Sequence, residues 1–260
     1  MSQPSFWPDF LPRSLLRPAA ELASRIASGD EISEIRGLAR EQWRVVARAF
    51  PALGRDPAPR VIRARRRREF LIGRALASFR HDALWTGSPG GGPTLFVTAH
   101  VGDARALRYL LRRHIPVASV RAPWESRRKA AHDDAVFDRR WPNEFPHVLS
   151  AAAPHALRTA LRYGSLIVTA DVPVRDGVEV PLLGGRVQLD PRPFRLARLA
   201  RVPCRPAFLT APCGRLTVTL EDSLPASQET ALEEFGRTFA RVAAAARFEI
   251  DGPTHWGQLR

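Results

Sequence analysis

One stretch, Thr94 to Arg113 (TLFVTAHVGDARALRYLLRR), limits the folds open to this 260-residue chain more than any other. Thr94 to Thr98 are mostly apolar and β-prone, and predict a short buried strand. The preceding Gly87 to Pro93, GSPGGGP, cannot continue a regular element, so the strand has a sharp start. His100, Gly102 and Asp103 follow, and from Ala104 the pattern changes to helix. Leu107, Leu110 and Leu111 fall at i, i+3 and i+4, with Arg105, Arg108, Arg112 and Arg113 spread around them. Asp103 stands where an N-cap belongs. A histidine therefore falls at the carboxyl end of a strand, just before a helix, which is where open α/β sheets bind ligands. Its plainer reading is an ordinary loop histidine; its functional reading is a general base with a carboxylate close by.

The flanking sequence supports an α/β architecture. Pro116 to Val120, His147 to Ser150 and Ser165 to Ala170 read as strands, and Asp171 stands at the end of the third. A helix from Pro154 to Tyr163, stopped by Gly164, separates the last two. Alternation of this kind is the signature of a parallel or mixed sheet with helical crossovers. Val178 to Leu189 predicts a strand pair around Gly184-Gly185, followed by a short helix at Phe194 to Ala200. Strands at Pro206 to Thr210 and Leu216 to Leu220 come next, then a long helix at Glu229 to Arg247.

Before the central stretch the pattern is helical. Ile32 to Phe50 is amphipathic, and Val61 to Phe79 carries Arg63 and Arg65 to Arg68, which reads first as a solvated, strongly positive face. Residues 1–30 form a separate amphipathic segment ahead of the main domain, 31–260. There Phe6, Trp7, Phe10, Leu11, Leu15 and Leu16 interleave with Arg13 and Arg17. Such a segment suits either an interfacial anchor or packing on the core. Ser126 to Arg140 is a further polar, charged helix.

Charge narrows the partners. Lys plus Arg outnumber Asp plus Glu by 40 to 26, a net +14. A surface this basic attracts phosphate-bearing or acidic partners: nucleic acid, anionic headgroups or an acidic carrier protein. No run of ~18 apolar residues is present and no secretory signal is apparent, so the expected location is cytosolic or peripheral on the inner membrane face. Cys204 and Cys213 have no metal-ligand spacing and fit a reducing compartment; the scattered histidines lack cysteine partners, and no metal site is expected. A P-loop, a dinucleotide fingerprint and a GxSxG elbow are all missing, and GSPGGGP precedes a strand instead of following one. What remains is His100 with Asp103, Asp171 at another strand end, and Gly184-Gly185-Arg186. Glycines let a backbone approach a phosphate and an arginine clamps it. The set suits attack of a hydroxyl on an activated acyl group, with His100 taking the proton and a carboxylate orienting it.

These residues sit in blocks that resemble a known family. Val180 to Leu209 (VPLLGGRVQLDPRPFRLARLARVPCRPAFL) is similar to a segment of the lipid A late acyltransferases. These are the lauroyl/myristoyl transferases within the wider lysophospholipid acyltransferase group. ALRYGSLIVTADVP (Ala160 to Pro173) looks like the family block that ends in aspartate, which places Asp171, and PVASVRAP (Pro116 to Pro123) like its second-strand block, which places Arg121. ARAFPALGRDPAPRVIRA (Ala47 to Ala64) resembles its entry and PTHWGQL (Pro253 to Leu259) its ending. The order and spacing of the blocks, across about residues 40 to 259, carry the likeness. The family motif is a histidine with an acid five residues on, in the form HxGnwE. In HVGDAR, His100 and Gly102 match, Arg105 takes the acid position and Asp103 the asparagine position.

The resemblance implies a mixed, largely parallel sheet flanked by helices, of the glycerolipid acyltransferase kind. It also implies an O-acyltransferase using acyl carrier protein or acyl-CoA thioesters as co-substrates, with no other cofactor. The acceptor would be a hydroxyl of an anionic lipid or glycolipid at the cytoplasmic face of the inner membrane. His100 is then the general base and Asp103 its orienting carboxylate. Arg121, Gly184 and Arg186 are expected to hold phosphate or acceptor, Asp171 to shape the pocket, and Arg65, Arg66, Arg67 and Arg68 to dock an acidic carrier. Three alternatives stay open: a relative without catalysis that binds acyl lipid or carrier, a basic nucleic-acid-binding protein, and a soluble acyltransferase for a small hydroxylated metabolite.

Overall fold

Apolar residues on both sides of a strand call for cover on both faces, and the central strand of this chain has it. The structure, a computed structural model, describes residues 83–102, 104–121, 148–172, 174–210 and 216–246. Strand β2 (Leu95–Thr98) is buried at every position. Leu95 and Val97 enter one apolar cluster and Phe96 the other, as the two-residue period of a strand demands. Helix α1 (Ala104–Arg112) covers the Phe96 side through Leu107, Leu110 and Leu111.

The chain then runs through β3 (Val117–Arg121), β4 (Val148–Ser150), α2 (Pro154–Ala160) and β5 (Ser165–Thr169). Beyond β5 lie the hairpin β6 (Val178–Leu182) and β7 (Gly185–Leu189), then α3 (Arg192–Ala200), β8 (Cys204–Thr210), β9 (Thr217–Leu220) and α4 (Gln228–Ala245). A three-residue strand, β1 (Leu84–Thr86), precedes them all. The main sheet has the order β1-β9-β8-β2-β5-β3-β4. β8, β2, β5, β3 and β4 are mutually parallel; β9 pairs antiparallel with β8, and β1 lies parallel to β9. The protein is thus α/β, with a mixed, mostly parallel central sheet flanked by helices.

The larger cluster lies on the other face. Leu157 of α2, Phe194 of α3 and Phe235 and Phe239 of α4 meet Leu95, Val97, Leu166 and Phe208 there. Phe235 packs edge-on to Phe194 and stacks on Phe208 at ring-centroid distances of 5.7 and 6.1 Å. Burial of α1 extends beyond the leucine stripe. Arg108, Tyr109 and Arg112 are also buried, although the sequence sets the arginines around the leucines as the polar side. Arg112 is held by a bond from its Nη1 to the Val117 carbonyl at 2.7 Å, and the Arg108 guanidinium lies 4.2 Å over the Tyr109 ring. Among the described residues no helix is long and apolar enough to cross a membrane. The segment 1–30, the helices at Ile32 to Phe50, Val61 to Phe79 and Ser126 to Arg140, Arg65 to Arg68, Asp103 and the Ala47 and Pro253 blocks lie outside the described residues.

Candidate active site

Register brings the two principal groups together. β2 and β5 pair with a constant offset from Leu95↔Leu166 to Thr98↔Thr169. The ladder continues one step, since the Ala170 N–H donates to the Thr98 carbonyl at 2.9 Å. One residue further, the same offset sets His100 opposite Asp171. By strand alternation Phe96 and Thr98 on one strand and Ile167 and Thr169 on its neighbour share the α1 face, and His100 and Asp171 follow just beyond the strands' carboxyl ends.

The contact is direct. His100 Nδ1 lies 3.0 Å from Asp171 Oδ1, and the His100 backbone N–H reaches both carboxylate oxygens at 3.0 Å. A carboxylate that accepts from the backbone through both oxygens also accepts from the ring, which puts a proton on Nδ1 and, in the neutral imidazole, the lone pair on Nε2. The Asp171 side chain has no solvent exposure, while the His100 side chain keeps 25 %. A buried acid grips the inner edge of a partly open ring, the arrangement that orients a histidine base.

The turn itself is built to hold this geometry. The Val101 N–H donates to the Ala99 carbonyl at 2.7 Å, so His100 is the centre of a three-residue turn. Gly102 then bridges to Leu209 at the carboxyl end of β8 with φ +69. A Cβ on Gly102 would overlap the Leu209 carbonyl oxygen, so only glycine lets the chain pass here.

The other sequence-selected residues are placed as follows. Arg121 ends β3, is buried, and falls on the same α1 face by alternation from Val117. Continuing the β3–β5 register from Ser119↔Ile167 sets it opposite Thr169, one strand over and two residues back from Asp171. Gly184 is the second residue of the two-residue hairpin loop; Leu183 and Gly184 have φ 49 and 82, the pattern of a type I′ turn. Arg186 follows on β7, exposed, with Glu179 across the hairpin at 3.6 Å. The residue that follows the hairpin ties it to the site region, the Asp190 N–H donating to the Ala170 carbonyl at 2.7 Å, while Val180, Leu182, Val187 and Leu189 share the larger core cluster with Ala170. Asp103, the expected orienting acid, lies outside the described residues; among the described residues the carboxylate that meets the imidazole is Asp171, expected from the sequence to shape the pocket.

Two further residues bear on the chemistry. Burial pushes the Cys204 thiol up to about 12, so it stays protonated and is no nucleophile at neutral pH. Thr98, two residues before His100 at the end of β2, is 1 % exposed, and its hydroxyl makes no hydrogen bond among the described residues. Sequence reasoning passed over Thr98, because a threonine in a strand is ordinary; only its position two residues before His100 marks it. Taken together, the carboxyl edges of β2, β5 and β3 carry a histidine, a carboxylate in contact with it and an arginine, at the place where parallel sheets take ligands. Comparison with known proteins adds no name to this site: no protein-family model matches the chain, and no curated protein matches it.

Proposed function

We propose that the chain is an O-acyltransferase in which His100 is the general base and Asp171, in place of Asp103, its orienting carboxylate. The observation that carries the reading is the 3.0 Å contact between His100 Nδ1 and a fully buried Asp171, with the ring still open to solvent. Nε2 takes the proton of an acceptor hydroxyl as its oxygen attacks the thioester carbonyl. The C–S bond then breaks, and the proton passes to the departing thiolate. Arg121, at the same carboxyl edge of the sheet, supplies positive charge for a phosphate of donor or acceptor.

The class of reaction comes from the sequence likeness to the lipid A late acyltransferases, and with it a glycerolipid acyltransferase-like fold. The proposed donors are acyl carrier protein or acyl-CoA thioesters. The proposed acceptor is a hydroxyl of an anionic lipid or glycolipid, met peripherally at the cytoplasmic face of the inner membrane, with Arg65 to Arg68 as the carrier dock. The missing acid at position 105 argues for a non-catalytic relative; Asp171 against the ring argues the other way, because the imidazole has its carboxylate from another strand.

The test is thiol release and ester formation from both thioester classes in the presence of hydroxylated lipid. The wild-type chain transfers the acyl group, and His100→Ala and Asp171→Asn each lose about 10²–10⁴ of the rate. A wild-type chain that binds acyl lipid without transfer is the non-catalytic relative. Transfer that survives His100→Ala removes the base from the proposal, and steeply salt-dependent duplex binding with no transfer returns the nucleic-acid reading.

A further inference from the structure

The layer of helices opposite α1 is uneven in charge. α2 and α3 pack side by side, each burying one side in the larger core cluster through Leu157 and Ala160, and through Pro193, Phe194 and Ala197. Their outer sides therefore face the same way. Exposed on them are Arg158, Arg162, Arg192, Arg195, Arg198 and Arg201, and residues 154–164 and 191–203 contain no acid. Arg192 is held by Asp190 at 2.7 Å; the other five form no ion pair among the described residues. Cations at a helix C-terminus favour the macrodipole, which accounts for Arg158 and Arg198 in the last turns but not for Arg195 in mid-helix.

An arginine-rich composition does not explain the surface either, because α4 in the same layer is balanced. It carries Glu229, Glu233 and Glu234 against Arg237 and Arg241, and its arginines pair with Glu234 at 2.5 Å and Glu221 at 2.9 Å. The basic face also holds two of the large apolar side chains most open to solvent, Tyr163 at 73 % and Leu199 at 49 %. One follows α2 and the other lies in α3.

We propose that the outer face of α2 and α3 is a docking surface for an anionic lipid bilayer. Unpaired guanidinium groups meet headgroup phosphates, while Tyr163 and Leu199 enter the boundary where headgroups give way to acyl carbon. A nucleic-acid duplex offers phosphates but nothing for an exposed leucine, and failure to bind the anionic vesicles would return the face to an acidic protein. The proposal stands on this surface alone and does not require His100 to be catalytic.

The test is co-sedimentation of the full chain with vesicles of phosphatidylcholine alone and of phosphatidylcholine mixed with phosphatidylglycerol. Binding appears on the anionic vesicles only. Arg158→Gln, Arg195→Gln and Arg198→Gln combined weaken it by about fivefold per arginine, roughly a hundredfold in all. The same three positions changed to lysine stay within about twofold, since a bilayer reads charge and not a guanidinium fork. Tyr163→Ser with Leu199→Ser removes the part of the binding that survives high salt. Equal binding to both vesicles overturns the proposal. So does a glutamine variant that binds like the parent, or a lysine variant that fails like the glutamine one.

Discussion

Gly102 and Gly184 both sit at positive φ next to residues the sequence singles out, yet they are glycine for different reasons. Gly184 closes a hairpin whose partners are at most eleven residues apart, from Val178↔Leu189 to Leu182↔Gly185. Its left-handed backbone follows from the two-residue loop, a local requirement. Gly102 is constrained by Leu209, which the fold brings from the far side of the sequence to bridge it. A glycine in a phosphate cradle and a glycine in a hairpin turn look alike along the chain. Only the one with a long-range partner holds a side chain of the candidate site in place, because Gly102 pins the turn whose centre is His100.

That contrast makes Gly102→Ala the most damaging single change. The added Cβ meets a backbone carbonyl, which cannot rotate away, and the positive φ adds strain of its own. The expected loss is roughly 3 kcal/mol or more, read by denaturant unfolding, with acyl transfer lost alongside. A variant of normal stability would mean that the bridge to Leu209 is dispensable and would erase the distinction between the two glycines. Asp171→Asn comes next. The amide keeps the volume but replaces one accepting oxygen with a donor facing the His100 N–H, so a buried group is left unsatisfied at about 1–3 kcal/mol. Its distinctive mark is a fall in turnover larger than the stability loss accounts for. Gly184→Ala is milder, about 1 kcal/mol for a left-handed alanine in an exposed turn, with turnover unchanged.

The same distinction explains what could be read along the chain. β2, α1 and β5 are visible because their signals are local: apolar runs of strand length, a leucine period and a stopping glycine. The place of His100 at a strand end follows from those elements alone. Its partner does not, since no local pattern encodes which residue stands across a ladder from it, 71 positions away. A local reading therefore points to the nearest acid, Asp103, which lies outside the described residues, while the register brings up Asp171, which no local reading pairs with His100. β1 escapes for the opposite reason, because three residues carry no period. Arg108 and Arg112 defeat the helical pattern: long cationic side chains read as solvated, yet here their stems and heads are packed against Tyr109 and the start of β3.

Arg186 is the weakest expected effect and the sharpest test of the hairpin's role. It faces solvent and its partner Glu179, also exposed, lies 3.6 Å away. Exposed pairs of this kind contribute little, so Arg186→Ala should change stability by about 0.5 kcal/mol or less, and less again at high salt. The kinetic reading separates a strut from a ligand. If Arg186 only braces β7 against β6, the KM for an anionic acceptor stays where it was, and turnover with it. An increase in KM of about tenfold at unchanged turnover, about 1.4 kcal/mol of uniform binding, would mean that the hairpin does reach the substrate. In that case Gly184, Gly185 and Arg186 would be a cradle after all, and a local turn would have been recruited to the site that the long-range contacts build.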